Sequence, residues 1–442
     1  MSDFETHNLR DGFEFLLKHF GQGRWRTERR LVQEHLLAVL GRRRRPEDAD
    51  LPVSVSYKQH PLAWYLFLVE SFLEDSPLYE HAQGARVVPF VARLGLELDN
   101  LAKVDGVDLR LASLLEDPGG DPDGTLFELL VAAAYVRNGW TRVELLKESK
   151  SSKTPDLRVS SGAQDVFVEC KRFRASSTYS LAERDAFWRM WSAIGRAVVE
   201  QELSLAIEIT FHEELEGLDD DVLWATIGPQ LEPGSRSAQT VETDVLTAIV
   251  RPARLAEVQR ALDDSMLRWP SSQVFELLMG NFEPFHSYAL TGRVLPSSEY
   301  PFFVESVSAA TCVRWACDNP GAIRRKARHI RRMLAEATKQ LPPGVPGVVH
   351  IGLEALDGDL VERHRFSRIK EELARFDPGD RRLEWVFGHV FAPYVPPHTN
   401  WELAETGFWA SAWNGRMPLP LQRSQTLVLP DEHTKEGGVH WS

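Results

Sequence analysis

The sequence predicts an α/β protein with a helical region ahead of its sheet, and three observations carry that expectation. Apolar residues recur at three- and four-residue spacing over residues 1–115, as in Phe13-Leu16-Leu17 and Leu66-Val69-Phe72-Leu73. Short runs rich in Val, Leu and Phe, separated by polar segments of hairpin length, follow between Thr141 and Lys171. An amphipathic stretch and a β-branched run then come in succession up to Phe211. Hydrophobic residues make up 43 % and charged residues 26 % of the 442, which excludes collagen-like, mucin-like and wholly disordered chains. That length has room for two or three domains of about 150 residues.

Fifty-one Lys and Arg stand against 64 Asp and Glu, a net charge of −13. No global positive field draws such a chain onto nucleic acid or an acidic membrane, so any polyanion must be met by a local patch. The longest apolar stretches, such as Leu62–Val69, fall far below the roughly 18 residues of a membrane span. The N-terminus lacks a basic and then apolar leader, so no membrane partner is expected and the cytoplasm is the expected compartment. Three cysteines without a CxxC pair suggest reduced thiols.

In chain order, residues 1–115 read as a helical N-terminal domain, and 116–124, dense in Pro, Gly and Asp, as a linker. Its aspartates do not make a calcium loop, because Gly119 and Leu130 stand where that pattern wants acids. Thr125–Asn138 predicts a helix stopped by Asn138-Gly139. Thr141–Leu146, Pro155–Val159 and Asp165–Lys171 predict three consecutive strands, Leu181–Glu202 a helix, and Leu205–Phe211 a fourth strand. Residues 212–321 read as an insertion in a domain spanning 125–395. Within it Ala322–Leu341 predicts one helix with an apolar face, and Gly347–Leu353 and Leu383–Phe391 two further strands. Residues 396–442 have no clear period and read as an irregular extension.

The chemistry concentrates in Pro155-Asp156 and Glu169-Cys170-Lys171. Side chains on a strand alternate, so Glu169 and Lys171 share one face with Phe167, while Val168 and Cys170 take the other. Asp156 reaches the charged face if its strand pairs with the next through a short hairpin. Two carboxylates and an ammonium then converge, a setting for a hard divalent cation with oxygen ligands. Water on such a cation becomes more acidic, and a nearby ammonium can orient it or neutralise a growing phosphoryl charge.

At these residues the sequence resembles the PD-(D/E)xK nuclease superfamily, whose members include restriction endonucleases and bacterial defence and recombination nucleases. Pro155 and Asp156 are similar to its PD element, Glu169-Cys170-Lys171 to its (D/E)xK element, and Glu128 sits where the first core helix often carries an acid. The resemblance covers Thr125–Phe211. It implies a restriction-endonuclease-like core, a central mixed sheet flanked by helices. It also implies Mg²⁺ or Mn²⁺ held by Asp156, Glu169 and the main-chain carbonyl of Cys170, with Lys171 at the attacking water and Glu128 as a supporting ligand. The implied substrate is DNA, with RNA as the alternative, in bacterial defence or DNA repair; a homodimer or a partner protein is compatible with it.

Plainer readings stand beside these. Thr125-x-x-Glu128 also spells a capping box. Glu169 and Lys171 also suit a solvated pair on a sheet edge, and a catalytically silent fold that binds nucleic acid or protein uses the same residues without chemistry. Lys147, Lys150 and Lys153 before the aspartate, and Arg172 and Arg174 after the lysine, form a basic neighbourhood suited to a phosphate backbone or simply to solubility. The face bearing Arg324, Arg325, Arg328, Arg331, Arg332 and Lys339 has the same two readings. Neither HExxH, GxxxxGK[ST] nor GxSxG occurs, so ATP hydrolysis and serine-hydrolase chemistry have no support.

Overall fold

The structure is a computed structural model that describes residues 6–43, 55–116, 120–147, 154–162, 164–173, 178–231, 237–327, 330–411, 417–422 and 426–429. The chain opens with helices α1 (Thr6–Phe20), α2 (Gln22–Arg43), α3 (Pro61–Leu73), α4 (His81–Leu96) and α5 (Leu98–Leu101). Leu62–Val69 of α3 are buried throughout, so this helix lies at the centre of the group. Helices α1 and α4 meet through glycines: a Cβ on Gly12 would stand 2.1 Å from the Val91 carbonyl oxygen, and one on Gly95 1.8 Å from that of Asn8.

Strand β1 (Val104–Asp105) then turns through Gly106 into α6 (Val107–Glu116). Helix α7 (Pro122–Arg137) leads to β2 (Arg142–Leu145), β3 (Leu157–Ser161) and β4 (Gln164–Arg172). These are the expected helix and three strands, with the helix beginning three residues early. Asp121 is its N-cap and Pro122 its first residue, the arrangement that fixes φ and satisfies orphan amides at a helix start. Thr125 therefore lies inside the helix, and the capping-box reading of Glu128 is corrected.

After α8 (Thr178–Glu200) the chain leaves the first sheet. It builds a second from β5 (Leu205–Phe211), β6 (Gln239–Glu242), β7 (Leu246–Pro252), β8 (Leu267–Arg268), β9 (Ser287–Pro296) and β10 (Phe303–Cys317), with helices α9 (Val222–Ile227), α10 (Leu255–Asp264) and α11 (Ser272–Met279). Its order is β6-β7-β5-β10-β8, with β9 also paired to β10. Helices α12 (Pro320–Lys326) and α13 (Ile330–Thr338) bring the chain back to β11 (Pro346–Glu354), α14 (Asp359–Arg375), β12 (Arg382–Tyr394) and β13 (Glu402–Ser411). The first sheet runs β1-β2-β3-β4-β11-β12-β13. It is mixed: β4 pairs β11 in parallel, whereas β2–β3, β3–β4 and β12–β13 are antiparallel.

Three expectations change here. Leu205–Phe211 is a strand, but it belongs to the second sheet; the strand beside β4 is β11. The expected 322–341 helix is described as two, α12 and α13. The tail read as irregular contributes the edge strand β13.

Alternation along β4 divides the first sheet's faces. Val166, Val168 and Cys170 join Leu126–Tyr135 of α7 and the N-terminal helices in one core that runs from Leu9 to Leu429. Phe167 turns to the opposite face, where Val349 and Ile351 pack with Leu334, Ala337, Ile369 and Leu373 of α13 and α14. Strand β11, buried along nearly its whole length, fits the continuous apolar pattern of a central parallel strand. Buried polar groups in this layer are linked: the Tyr135 hydroxyl meets His350 Nε2 at 3.2 Å, and His350 Nδ1 meets His389 Nε2 at 3.1 Å. Burial lowers both imidazoles and keeps them neutral. Among the described residues no helix is long and apolar enough to cross a membrane.

Candidate active site

The β3–β4 ladder sets Leu157 opposite Val168, so Asp156, one residue earlier, comes level with Glu169. The pairing ends there. The Asp156 amide donates to the Val168 carbonyl at 3.1 Å, and beyond it the Cys170 amide donates to Asp156 Oδ2 at 2.7 Å. A carboxylate side chain thus takes the place of the next backbone acceptor. Amide and carbonyl of one strand residue face the same neighbour, so the Cys170 carbonyl also points to the β3 side. The Cys170 side chain is buried in the opposite core, and burial, with Asp156, Glu128 and Glu169 nearby, pushes its thiol well up and keeps it protonated.

Glu169 has no solvent-exposed surface and is ion-paired through Oε1 to Lys171 Nζ. Burial first, and then the Asp156 charge, push its carboxyl up to about 9 against the pull of Lys171. Burial alone would lower Lys171, but Glu169 and Asp156 hold its ammonium above the ordinary value. Lys171 is the accessible member of the group, with 28 % of its side chain exposed.

Arg110, which carries no signal in the sequence, completes the site. The turn at Gly106 and the first hydrogen bond of α6, from the Arg110 amide to the Gly106 carbonyl at 3.0 Å, set its position. Its Nε stands 3.1 Å from Glu128 Oε2 and its Nη2 3.9 Å from Asp156 Oδ1. Nη2 also donates to the Leu146 carbonyl at 3.2 Å. The guanidinium is 7 % exposed and lies between two acids. No spacing rule joins it to the Pro155-Asp156 motif downstream; it enters the site because the structure buries its face of α6.

The structure therefore brings together Asp156, Glu169 and Lys171, with Glu128 joined to Asp156 through Arg110. Asp156, Glu169 and the Cys170 carbonyl are hard oxygen donors of the kind that Mg²⁺ or Mn²⁺ takes. Yet among the described residues no three His, Cys, Asp or Glu side chains gather into a metal-holding group. Each acid is turned to a partner within the protein: Asp156 to the Cys170 amide and Arg110, Glu169 to Lys171, Glu128 to Arg110.

The basic neighbourhood dissolves in part. Arg172 faces the other side of β4, its Nη2 2.9 Å from Glu354 Oε1 and its guanidinium over Phe391; at 3 % exposure it cannot reach a phosphate strand, which corrects its assignment to nucleic-acid binding. The alternation that exposes Lys171 is what buries its neighbour. Arg324 is exposed on α12, whereas Arg325 pairs with Glu214 and Lys326 is buried against Glu183. Lys150, Lys153, Arg174 and Arg328 lie outside the described residues. Compared with known proteins, the chain matches no family model, no curated protein and no solved structure.

Proposed function

We propose that the chain is a nuclease of the PD-(D/E)xK type, hydrolysing phosphodiester bonds in DNA with Mg²⁺ or Mn²⁺ on a restriction-endonuclease-like core. The observation that carries this is the ladder end: Asp156 level with Glu169, and Lys171 on the same face at the accessible rim. The neighbouring helix α7 and the antiparallel run β2–β3–β4 support it, being the elements expected around such a motif. Burying a carboxylate beside two others is costly, and such perturbed groups concentrate where chemistry is done.

Asp156 and Glu169, with the Cys170 carbonyl, would hold the cation, and Glu128 would support it; the cation supplies an acidified water and charge neutralisation at phosphorus. The chain's own residues do the rest. The Cys170 amide fixes the Asp156 carboxylate. The Lys171 ammonium, held charged by Glu169, orients the attacking water and offsets charge on the phosphoryl oxygens.

The test is degradation of plasmid, single-stranded DNA and RNA with Mg²⁺ or Mn²⁺. Wild type is expected to cut DNA, EDTA to stop it, and Lys171→Ala to lower the rate by about 10²–10⁴-fold. RNA cut with DNA spared would replace the substrate. A second reading, a silent module that binds nucleic acid or a protein, is favoured by Arg110 between Glu128 and Asp156. It wins if wild type and Lys171→Ala leave every substrate intact and bind it equally.

A further inference from the structure

The second sheet gathers three polar side chains at one end of its central strands. Strands β5 and β10 run parallel, and their last residues, Phe211 and Cys317, are register partners, so His212 and Asp318 leave the sheet side by side. On the other flank of β5, β7 sets Thr247 opposite Thr210, and side chains two apart share a face, which brings Thr247 beneath His212. The backbone fixes the histidine: its amide donates to the Val245 carbonyl at 2.7 Å, and its carbonyl accepts from Asn319 Nδ2 at 2.9 Å. Its ring then has a partner at each nitrogen. The Asp318 carboxylate oxygens lie 3.0 and 3.2 Å from Nδ1, and Thr247 Oγ1 lies 2.9 Å from Nε2. An ionised carboxylate only accepts, so Nδ1 carries the proton, and in the neutral ring Nε2 accepts from the Thr247 hydroxyl. The group opens to solvent, with 34 % of the His212 side chain and 43 % of the Asp318 side chain exposed. Three strands supply it, with separations of 35 and 106 residues, so no contiguous motif marks it.

We propose that Thr247, His212 and Asp318 form a second catalytic site, which passes acyl groups from activated esters to the Thr247 hydroxyl and then to water. Hydroxyl, base and orienting acid stand in the order that activates a nucleophile. Oγ1 attacks the acyl carbon as His212 Nε2 takes its proton. The bond to the leaving oxygen breaks, and Nε2 returns the proton to that oxygen. Water then gives a proton to Nε2 and attacks the acyl carbon; the bond to Oγ1 breaks, and Nε2 restores the hydroxyl. The backbone sets the substrate class. Hydrogen-bonded pairs alternate along an antiparallel ladder, so the pair after His212–Val245 is Thr210–Thr247, and the Thr247 amide is spent on the Thr210 carbonyl. It does not serve a growing oxyanion, and an ester with a good leaving group, such as an aryl ester, depends least on that help. The site lies on the second sheet and is independent of the metal-dependent reading of the first.

The test is 4-nitrophenyl acetate with the full chain, quenched in acid at successive times and mapped by peptide mass spectrometry. Wild type is expected to carry acetyl on Thr247 while 4-nitrophenol is released. His212→Ala is expected to slow acetylation of Thr247 by about 10²–10⁴-fold, Thr247→Val to abolish it and Thr247→Ser to keep it at that position. Absence of acetyl from Thr247 in wild type at every time overturns the proposal and leaves the three side chains as a tie between strand ends; this result needs no variant to fold. Acetyl gained equally fast by His212→Ala overturns it as well, since a hydroxyl that reacts without the base is ordinary surface chemistry.

Discussion

Glu169 is the side chain on which the site's pH dependence turns. Its folded-state value, raised to about 9 from an ordinary 4.5, means that the folded protein holds this proton more tightly than the unfolded chain. That contribution to stability is complete below about pH 4.5 and is lost as pH rises through about 9. In EDTA, wild type is expected to lose stability between pH 5 and pH 8.5 relative to Glu169→Gln, which carries no titrating group there. The gap should change by more than about 1 kcal/mol in urea unfolding, and parallel curves would contradict it. Asp156, Glu169 and Lys171 were legible because a hairpin and a period of two place them without knowledge of the rest of the fold. Arg110 was not, since its pairing with Glu128 and Asp156 depends on how α6 lies across the sheet edge, and the burial of Arg172 depends on Glu354, a partner 182 residues away.

At the scale of elements, the β1–Gly106–α6 turn bears the most weight. Gly106 has φ +88°, and a Cβ there would stand 2.6 Å from the Leu145 carbonyl oxygen. Gly106→Ala is therefore strained twice over and is expected to cost about 1–3 kcal/mol in urea unfolding; an unchanged midpoint would mean that the turn is not what seats α6. The sequence marked most elements by their periods but not their neighbours. Leu205–Phe211 is β-branched and apolar, which specifies a strand and leaves its sheet undetermined; that choice was made by β10 and β7, which flank it. Strand β13 escaped notice because Glu402–Ser411 mixes Ala, Glu and Gly at a half-exposed edge.

Across the whole molecule, the cores fall into unequal groups. One apolar core joins the N-terminal helices to α7 and the first sheet, so among the described residues of 6–116 the buried apolar side chains belong to that shared core. The Pro- and Gly-rich stretch at which a boundary is expected separates α6 from α7, and both helices contribute buried residues to that core. The second sheet differs: its two clusters draw their buried residues from between Ala186 and Ala322, and the Lys326–Glu183 ion pair closes this segment on itself. Residues 178–327, about 150 of them and so of ordinary domain size, are expected to unfold in one cooperative transition when expressed alone. A broad, non-cooperative melt would show that the segment needs the first sheet.

The excursion between β4 and β11 has a consequence for synthesis. Strand β4 ends at Arg172 and its parallel neighbour starts at Pro346, so about 170 residues must emerge from the ribosome before the two can pair. At typical elongation rates that is a wait of roughly ten to thirty seconds. Throughout it, the strand bearing Glu169 and Lys171 presents a bare edge to the cell while the intervening segment gathers its own cores. A nascent chain stalled short of residue 346 would carry both acids and the lysine of the motif, yet it would lack the strand that sheathes them and would be prone to pair edge to edge with its neighbours.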